Sequence, residues 1–248
     1  MVLSITIALA VIFVGGFFAS VSGFGFALIC VPLLSLVMSP KEAVICTVLM
    51  NGVLRVMTMW YTRNKFSWRV VAMVMLGWGF GMFPGSYVLR HISLEHLQLF
   101  LGSFLMLATL LLSIKFYLPI RSKLWGRVGA GCLAGFFGTA TGVNGPPIIL
   151  YFLNEKMEKD SMRANMVWIF GLGTFASIFS LFVVGNFGFV TSWLRLALML
   201  PAVLLATQLG ELFFQRLDQE LFRKLALAIV CAGGLMMLFS ACRTMSIL

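Results

Sequence analysis

Apolar residues along this chain fall into eight blocks, at about 4–38, 42–61, 68–89, 95–116, 127–153, 163–184, 191–214 and 221–242, separated by short polar breaks. A helix needs about 20 apolar residues to cross a bilayer core. Six blocks fit that length and predict six ordinary membrane-spanning helices. The first and fifth differ. Block 4–38 is too long for one span and short for two, and both blocks carry helix-breaking clusters. These are Ser22-Gly23-Phe24-Gly25 in the first and Thr141-Gly142-Val143-Asn144-Gly145-Pro146-Pro147 in the fifth. Glycine loosens a helix and proline removes a backbone donor from it. Each odd block therefore predicts a broken or re-entrant helix pair.

Short cytoplasmic loops collect Lys and Arg, so loop charge tests this division. If both odd blocks cross once, the positive residues split 9 to 8 between the faces and give no orientation. If each odd block enters and returns on one side, the loops at 61–69, 115–127, 154–163 and 215–224 share a face with 13 positive residues. Only Lys41, Arg90, Arg195 and Arg243 then lie opposite. The second arrangement obeys the rule and places both termini on the periplasmic side. Two short tilted crossings per odd block would give the same parity.

The two halves also match each other. Gly16-Phe17-Phe18-Ala19-Ser20-Val21-Ser22-Gly23-Phe24 lies over Gly135-Phe136-Phe137-Gly138-Thr139-Ala140-Thr141-Gly142-Val143 at an offset of 119 residues, and Gly52 falls on Gly171. Further on the offset becomes 125, with Ile92-Ser93-Leu94-Glu95 over Leu217-Asp218-Gln219-Glu220. One return plus three crossings per half makes the second copy upside down. The expected fold is all-α and polytopic, with inverted repeats at 1–120 and 121–248 in one membrane domain. Paired broken helices in inverted repeats point to a transporter's binding site. A helix interrupted in the membrane offers unpaired N–H groups and a positive dipole end to an anion.

Composition supports the membrane and excludes several alternatives. The chain is 61% hydrophobic and 10% charged, against about 25% charged in soluble domains, and its mean hydropathy is +1.03. The formal charge of +10 is scattered through loops instead of forming a basic stripe, so nucleic acid is not an expected partner. Cys30, Cys46, Cys132, Cys231 and Cys242 lie in apolar stretches without metal-ligand spacing, and no metal or cofactor is expected. The N-terminus lacks a basic n-region, and its apolar run reads as a retained membrane segment. No GxxxxGK[ST] motif occurs, and no His/Asp/Glu cluster suggests an enzyme.

The stretch Ser22-Gly23-Phe24-Gly25-Phe26-Ala27-Leu28-Ile29-Cys30-Val31-Pro32-Leu33-Leu34, with Ala134-Gly135-Phe136-Phe137-Gly138 through Asn144-Gly145-Pro146-Pro147, resembles the two signature segments of the sulfite exporter TauE/SafE family of membrane permeases. The likeness covers essentially the whole chain. It departs where the family often continues in glycines, at Phe26-Ala27 and Val143-Asn144. The resemblance implies transport of sulfite, sulfoacetate or another small organosulfonate across the bacterial inner membrane. An anion channel and a permease for a non-sulfur carboxylate are the alternatives. The expected partners are a small anion and the lipid bilayer, and a homodimer is compatible with the sequence.

The expected anion site has two halves. Ser22, Gly23, Phe24 and Gly25 form one, against the reading that small residues merely allow close helix packing. Thr139, Thr141, Gly142, Asn144 and Gly145 form the other, where polar groups beside prolines are costly unless they face protein or water. Arg55 lies some six residues, about 9 Å, inside its span and could neutralise the anion or snorkel to the headgroups. Asn51 sits one turn earlier on the same face. Glu211 is the one carboxylate well within an apolar block, where proton carriage and an interfacial position compete.

Overall fold

The computed structural model describes residues 2–34, 37–38, 40–91, 94–114, 117, 120, 122–141, 144–184 and 193–245. These form ten helices and, among the described residues, no strand. They are α1 (Val2–Ser22), α2 (Phe26–Leu34), α3 (Pro40–Thr62), α4 (Trp68–His91), α5 (Leu94–Ser113), α6 (Lys123–Thr141), α7 (Gly145–Asn154), α8 (Lys159–Val184), α9 (Trp193–Arg216) and α10 (Gln219–Met245). Each ordinary block becomes one helix, and the first and fifth each divide in two. The division is unequal. With 21 residues α1 is roughly 31 Å long, enough to cross a bilayer core, whereas α2 has 9 residues. The same long-then-short order recurs in α6, of 19 residues, and α7, of 10.

The breaks have different local causes. Gly23 and Gly25 take φ of 84° and 91°, a region that L side chains enter only at a steric cost, so the α1 ladder stops there. At the second break α7 begins with Pro at its first positions, where the missing N–H would have had no helical acceptor anyway.

Helix starts recur at the two offsets seen in the sequence. Phe26 and Gly145, like Pro40 and Lys159, are 119 residues apart; Trp68 and Trp193, like Leu94 and Gln219, are 125 apart. Two compact units nevertheless draw on both halves. One comprises Met1–Phe66 with Arg163–Asp218, the other Ser67–Met162 with Gln219–Leu248.

In the first unit α1 packs along α9, and α2 lies against α1 and α3. Ile12, Ala19, Phe26, Leu34, Leu54 and Val203 fill its core. Helices α3 and α8 meet through four contacts. Asn51 Nδ2 donates to Thr174 Oγ1 at 3.0 Å, the Arg55 guanidinium lies 5.9 Å from the Phe170 ring centre, Gly52 abuts Ile178, and Gly171 abuts Met59. Positions 51 and 52 of α3 meet 174 and 178 of α8, whereas 55 and 59 meet 170 and 171, so the helices run antiparallel there.

In the second unit α4 packs on α6 at backbone distance. A Cβ at Gly81 would stand 2.0 Å from the Cys132 carbonyl oxygen, and one at Gly131 the same distance from that of Val74. Small residues allow such approach in lipid, where van der Waals contact replaces the hydrophobic drive between helices. Helix α5 packs on α10. Helix α7 is buried from Gly145 to Leu153 and is tied to α6 by Arg127–Glu155 at 2.7 Å and by Tyr151, whose hydroxyl donates to the Lys123 carbonyl.

Large apolar side chains, among them Phe80, Phe83, Phe100, Leu110, Trp125 and Phe239, point outward. So much exposed apolar surface suits lipid and not water. Ile5–Ser22 and Leu196–Arg216, with mean hydropathies of 2.3 and 1.7, are long and apolar enough to span a membrane on composition alone.

Candidate functional site

The first break is built from the last turn of α1. The Gly23 N–H still reaches the Ala19 carbonyl at 2.8 Å, and then the positive φ angles turn the chain away. Ser22 is 2% exposed. Its hydroxyl proton has the Phe18 and Phe24 carbonyls within 2.7 and 2.8 Å, and its oxygen accepts the Phe24 N–H at 3.3 Å. The serine therefore braces the break. Phe24 is buried, and Gly25 accepts the Ile29 N–H as the first carbonyl of α2. The N–H groups of Phe26, Ala27 and Leu28 open that helix without an intrahelical acceptor, as helix starts do.

Two arginines converge on the carbonyls that α1 leaves unpaired at its end. Arg55, from α3, is 2% exposed and donates from Nη1 to the Gly23 carbonyl at 2.9 Å. Arg163, at the start of α8, is 1% exposed and donates from Nε to the Ser20 carbonyl at 2.7 Å. Cations suit the negative end of a helix dipole. Gly23 brings the two arginines together, since its carbonyl accepts from Arg55 and its α-carbon abuts the Arg163 side chain. Their partners differ. Arg163 grips Glu211 of α9 with both Nη atoms, at 3.3 and 2.5 Å, and lies 4.2 Å over the Phe214 ring. Arg55 has no carboxylate partner among the described residues, and its Nε–H is buried without an acceptor.

Arg55 is buried and points into the break. It belongs to a buried polar stripe at helical spacing on α3, formed by Thr47, Arg55, Thr58 and Thr62, with the half-buried Asn51 between the first two. Thr58 and Thr62 return their protons to carbonyls one turn back. Asn51 leaves Oδ1 unpaired, and the hydroxyls of Ser20 and Thr47 also lack partners. Buried orphan polar atoms are uncommon and call for an explanation such as a ligand or water.

At the second break Asn144 is half-buried and precedes α7 without a side-chain capping bond. Gly145 is buried. Gly142 and the side chains of Thr139 and Thr141 lie outside the described residues. Ser22, Gly23, Phe24, Gly25, Asn51 and Arg55 thus gather in the first unit, while Asn144 and Gly145 belong to the second.

One sequence expectation changes. Arg163, counted as a loop charge, is a buried helical residue, because the carbonyls ending α1 and the Glu211 carboxylate compensate its desolvation. Glu211, for which proton carriage and an interfacial position competed, is its ion-pair partner, with 12% of its side chain exposed. The clue to Arg163 was Glu211 itself, since a carboxylate in an apolar block needs a cation nearby. Which cation is not written in the spacing.

A family model described as sulfite exporter TauE/SafE matches residues 8–237. The chain belongs to the sulfite exporter TauE/SafE family. Among curated proteins a "Probable sulfite/organosulfonate exporter TauE" of Cupriavidus necator is 26% identical over 239 residues, covering 92% of this chain and 91% of the relative. No solved structure matches. TauE/SafE membership makes the chain a membrane transporter and not an enzyme by family.

Proposed function

We propose that this TauE/SafE protein is a secondary transporter that exports sulfite or a small organosulfonate across the bacterial inner membrane, and that the anion binds at the first break. The carrying observation is Arg55, a buried guanidinium without an acidic partner among the described residues, beside the glycine turn that opens α2. A lone buried cation is costly unless an anion joins it. Arginine's planar fork suits a sulfonate or sulfite oxygen pair, and the free N–H groups of α2 supply further donors. The description of the Cupriavidus necator relative as a probable sulfite/organosulfonate exporter supports the choice of sulfur anions.

The inverted repeat belongs to the same reading. The α3–α8 contacts are reciprocal under the 119-residue offset: Asn51–Thr174 exchanges with Phe170–Arg55, and Gly52–Ile178 with Gly171–Met59. Reciprocal pairs are the mark of a two-fold axis, and an antiparallel crossing supports a second copy that runs upside down. Loop charge supports periplasmic termini.

Counterflow in proteoliposomes, with sulfite, sulfoacetate, taurine, sulfate and oxalate as trial substrates, tests the proposal. Saturable exchange of sulfite or a sulfonate is expected. Flux that never saturates would make the protein a channel, and exchange of oxalate alone would make it a carboxylate permease.

A further inference from the structure

Along the α3–α8 crossing one amide carries an acceptor that no described residue uses. Asn51 donates from Nδ2 to Thr174 Oγ1 at 3.0 Å, and the Thr174 hydroxyl gives its own proton to the Phe170 carbonyl at 2.8 Å. A hydroxyl has one proton to give. With that proton committed Thr174 can only accept, so the amide presents its NH2 to Thr174 and turns Oδ1 the other way. Oδ1 is shut from solvent and accepts no hydrogen bond among the described residues. An amide oxygen cannot donate, and its desolvation is offset only by a donor brought to it.

One turn further along α3, Arg55 has the complementary need. Its Nε–H is buried without an acceptor, while Nη1 is bound to the Gly23 carbonyl. Asn51 and Arg55 share a side of α3, since their contacts on α8, Thr174 and Phe170, are also one turn apart. The unused donor and the unused acceptor do not satisfy each other. Their positions differ by four residues, a rise of about 6 Å. The pair is thus the complement of a small molecule with an anionic group at one end and a hydrogen-bond donor at the other. Asn51 is a neutral amide, which suits a hydroxyl; an ammonium would bring a charge that the amide does not balance. We infer that Asn51 sets substrate specificity: its Oδ1 accepts a hydrogen bond from a hydroxyl on the substrate's carbon chain, so that the transporter selects hydroxyalkanesulfonates over sulfonates with a plain alkyl end. Thr174 is the positioning residue that fixes the amide. The inference rests on the anion site proposed above.

The test compares 2-hydroxyethanesulfonate, ethanesulfonate and taurine by calorimetric titration of the purified full chain. The three share a sulfonate on a two-carbon chain and differ at the far end, which carries a hydroxyl, a hydrogen or an ammonium. The hydroxyl compound should bind about tenfold more tightly than ethanesulfonate, the worth of one buried neutral hydrogen bond, and more tightly than taurine. In Asn51→Leu, which keeps the side chain's size and removes the acceptor, the preference over ethanesulfonate should vanish. Thr174→Val, of nearly the same shape as threonine, frees the amide to turn over and should lower that preference as well. Equal wild-type affinities for the hydroxyl and plain compounds, tighter binding of taurine, or a preference undiminished in either variant overturns the inference. The wild type and Thr174→Val decide even if Asn51→Leu does not fold. Failure of all three sulfonates, and of sulfite, to bind the wild type would instead overturn the anion site itself.

Discussion

The pair α1–α9 and the pair α6–α4 each join one helix from either half and correspond under the sequence offsets, yet they are held together differently. Along α4 and α6 the backbones touch, with no space for a single Cβ at Gly81 or Gly131. Along α1 and α9 Gly16 faces side chains and Gly210 meets the Ser20 side chain first, with backbone no nearer than 2.9 Å, and the end of the interface is occupied by Arg163 and Glu211. The two helix pairs match in sequence position and differ in chemistry. Backbone packing offers a ligand no charge to exchange, whereas an ion pair does, so the α4–α6 seam is expected to be the rigid one and the α1–α9 seam the responsive one. At the α3–α8 crossing Asn51 stands opposite Thr174 and Arg55 opposite Phe170, so positions 119 residues apart carry different side chains there as well.

The sharpest test of the rigid seam is Gly81→Ala. Its Cβ would meet backbone, which cannot rotate away, and a loss of about 3 kcal/mol or more is expected, read as a lowered unfolding temperature in detergent. Gly210→Ala should cost roughly half as much, because its Cβ meets the Ser20 side chain at 2.7 Å and one carbonyl at 2.9 Å. Equal losses would erase the contrast.

On the responsive side, Arg55→Ala should weaken binding of the transported anion by roughly 100-fold, the worth of a buried charge-assisted contact of about 3 kcal/mol, measured by calorimetry or counterflow. Unchanged affinity would remove the first break as the site. Gly23→Ala should destabilise by about 1–2 kcal/mol, since φ is 84° and the new Cβ would stand 3.2 Å from the Arg163 carbonyl. Transport should fall with it.

The smallest effects compare the breaks themselves. Ser22→Ala leaves the buried Phe24 N–H without its acceptor and should cost about 1 kcal/mol. Asn144 makes no capping bond, so Asn144→Ala should cost less than about 0.5 kcal/mol of stability. If its affinity loss rivals that of Arg55→Ala, the second break also touches the anion, and the comparison narrows.

Much of this was legible in the chain because its causes are local. Gly23 and Gly25 are clustered glycines free to take the positive φ that ends α1, Pro146 and Pro147 suit the first turn of α7, and a run of about 20 apolar residues is long enough to span. The sequence by itself therefore determined the eight blocks, both breaks, the repeat offsets and the presence of Arg55 within a span. Only the tertiary structure decided that the compact units take helices from both halves, and that Arg163 leaves its loop neighbours to join Ser20, 143 residues away, and Glu211, 48 away. Those pairings are long-range solutions to a desolvation cost, and any of several arginines could have met Glu211's need; the packing of α1, α8 and α9 chose one.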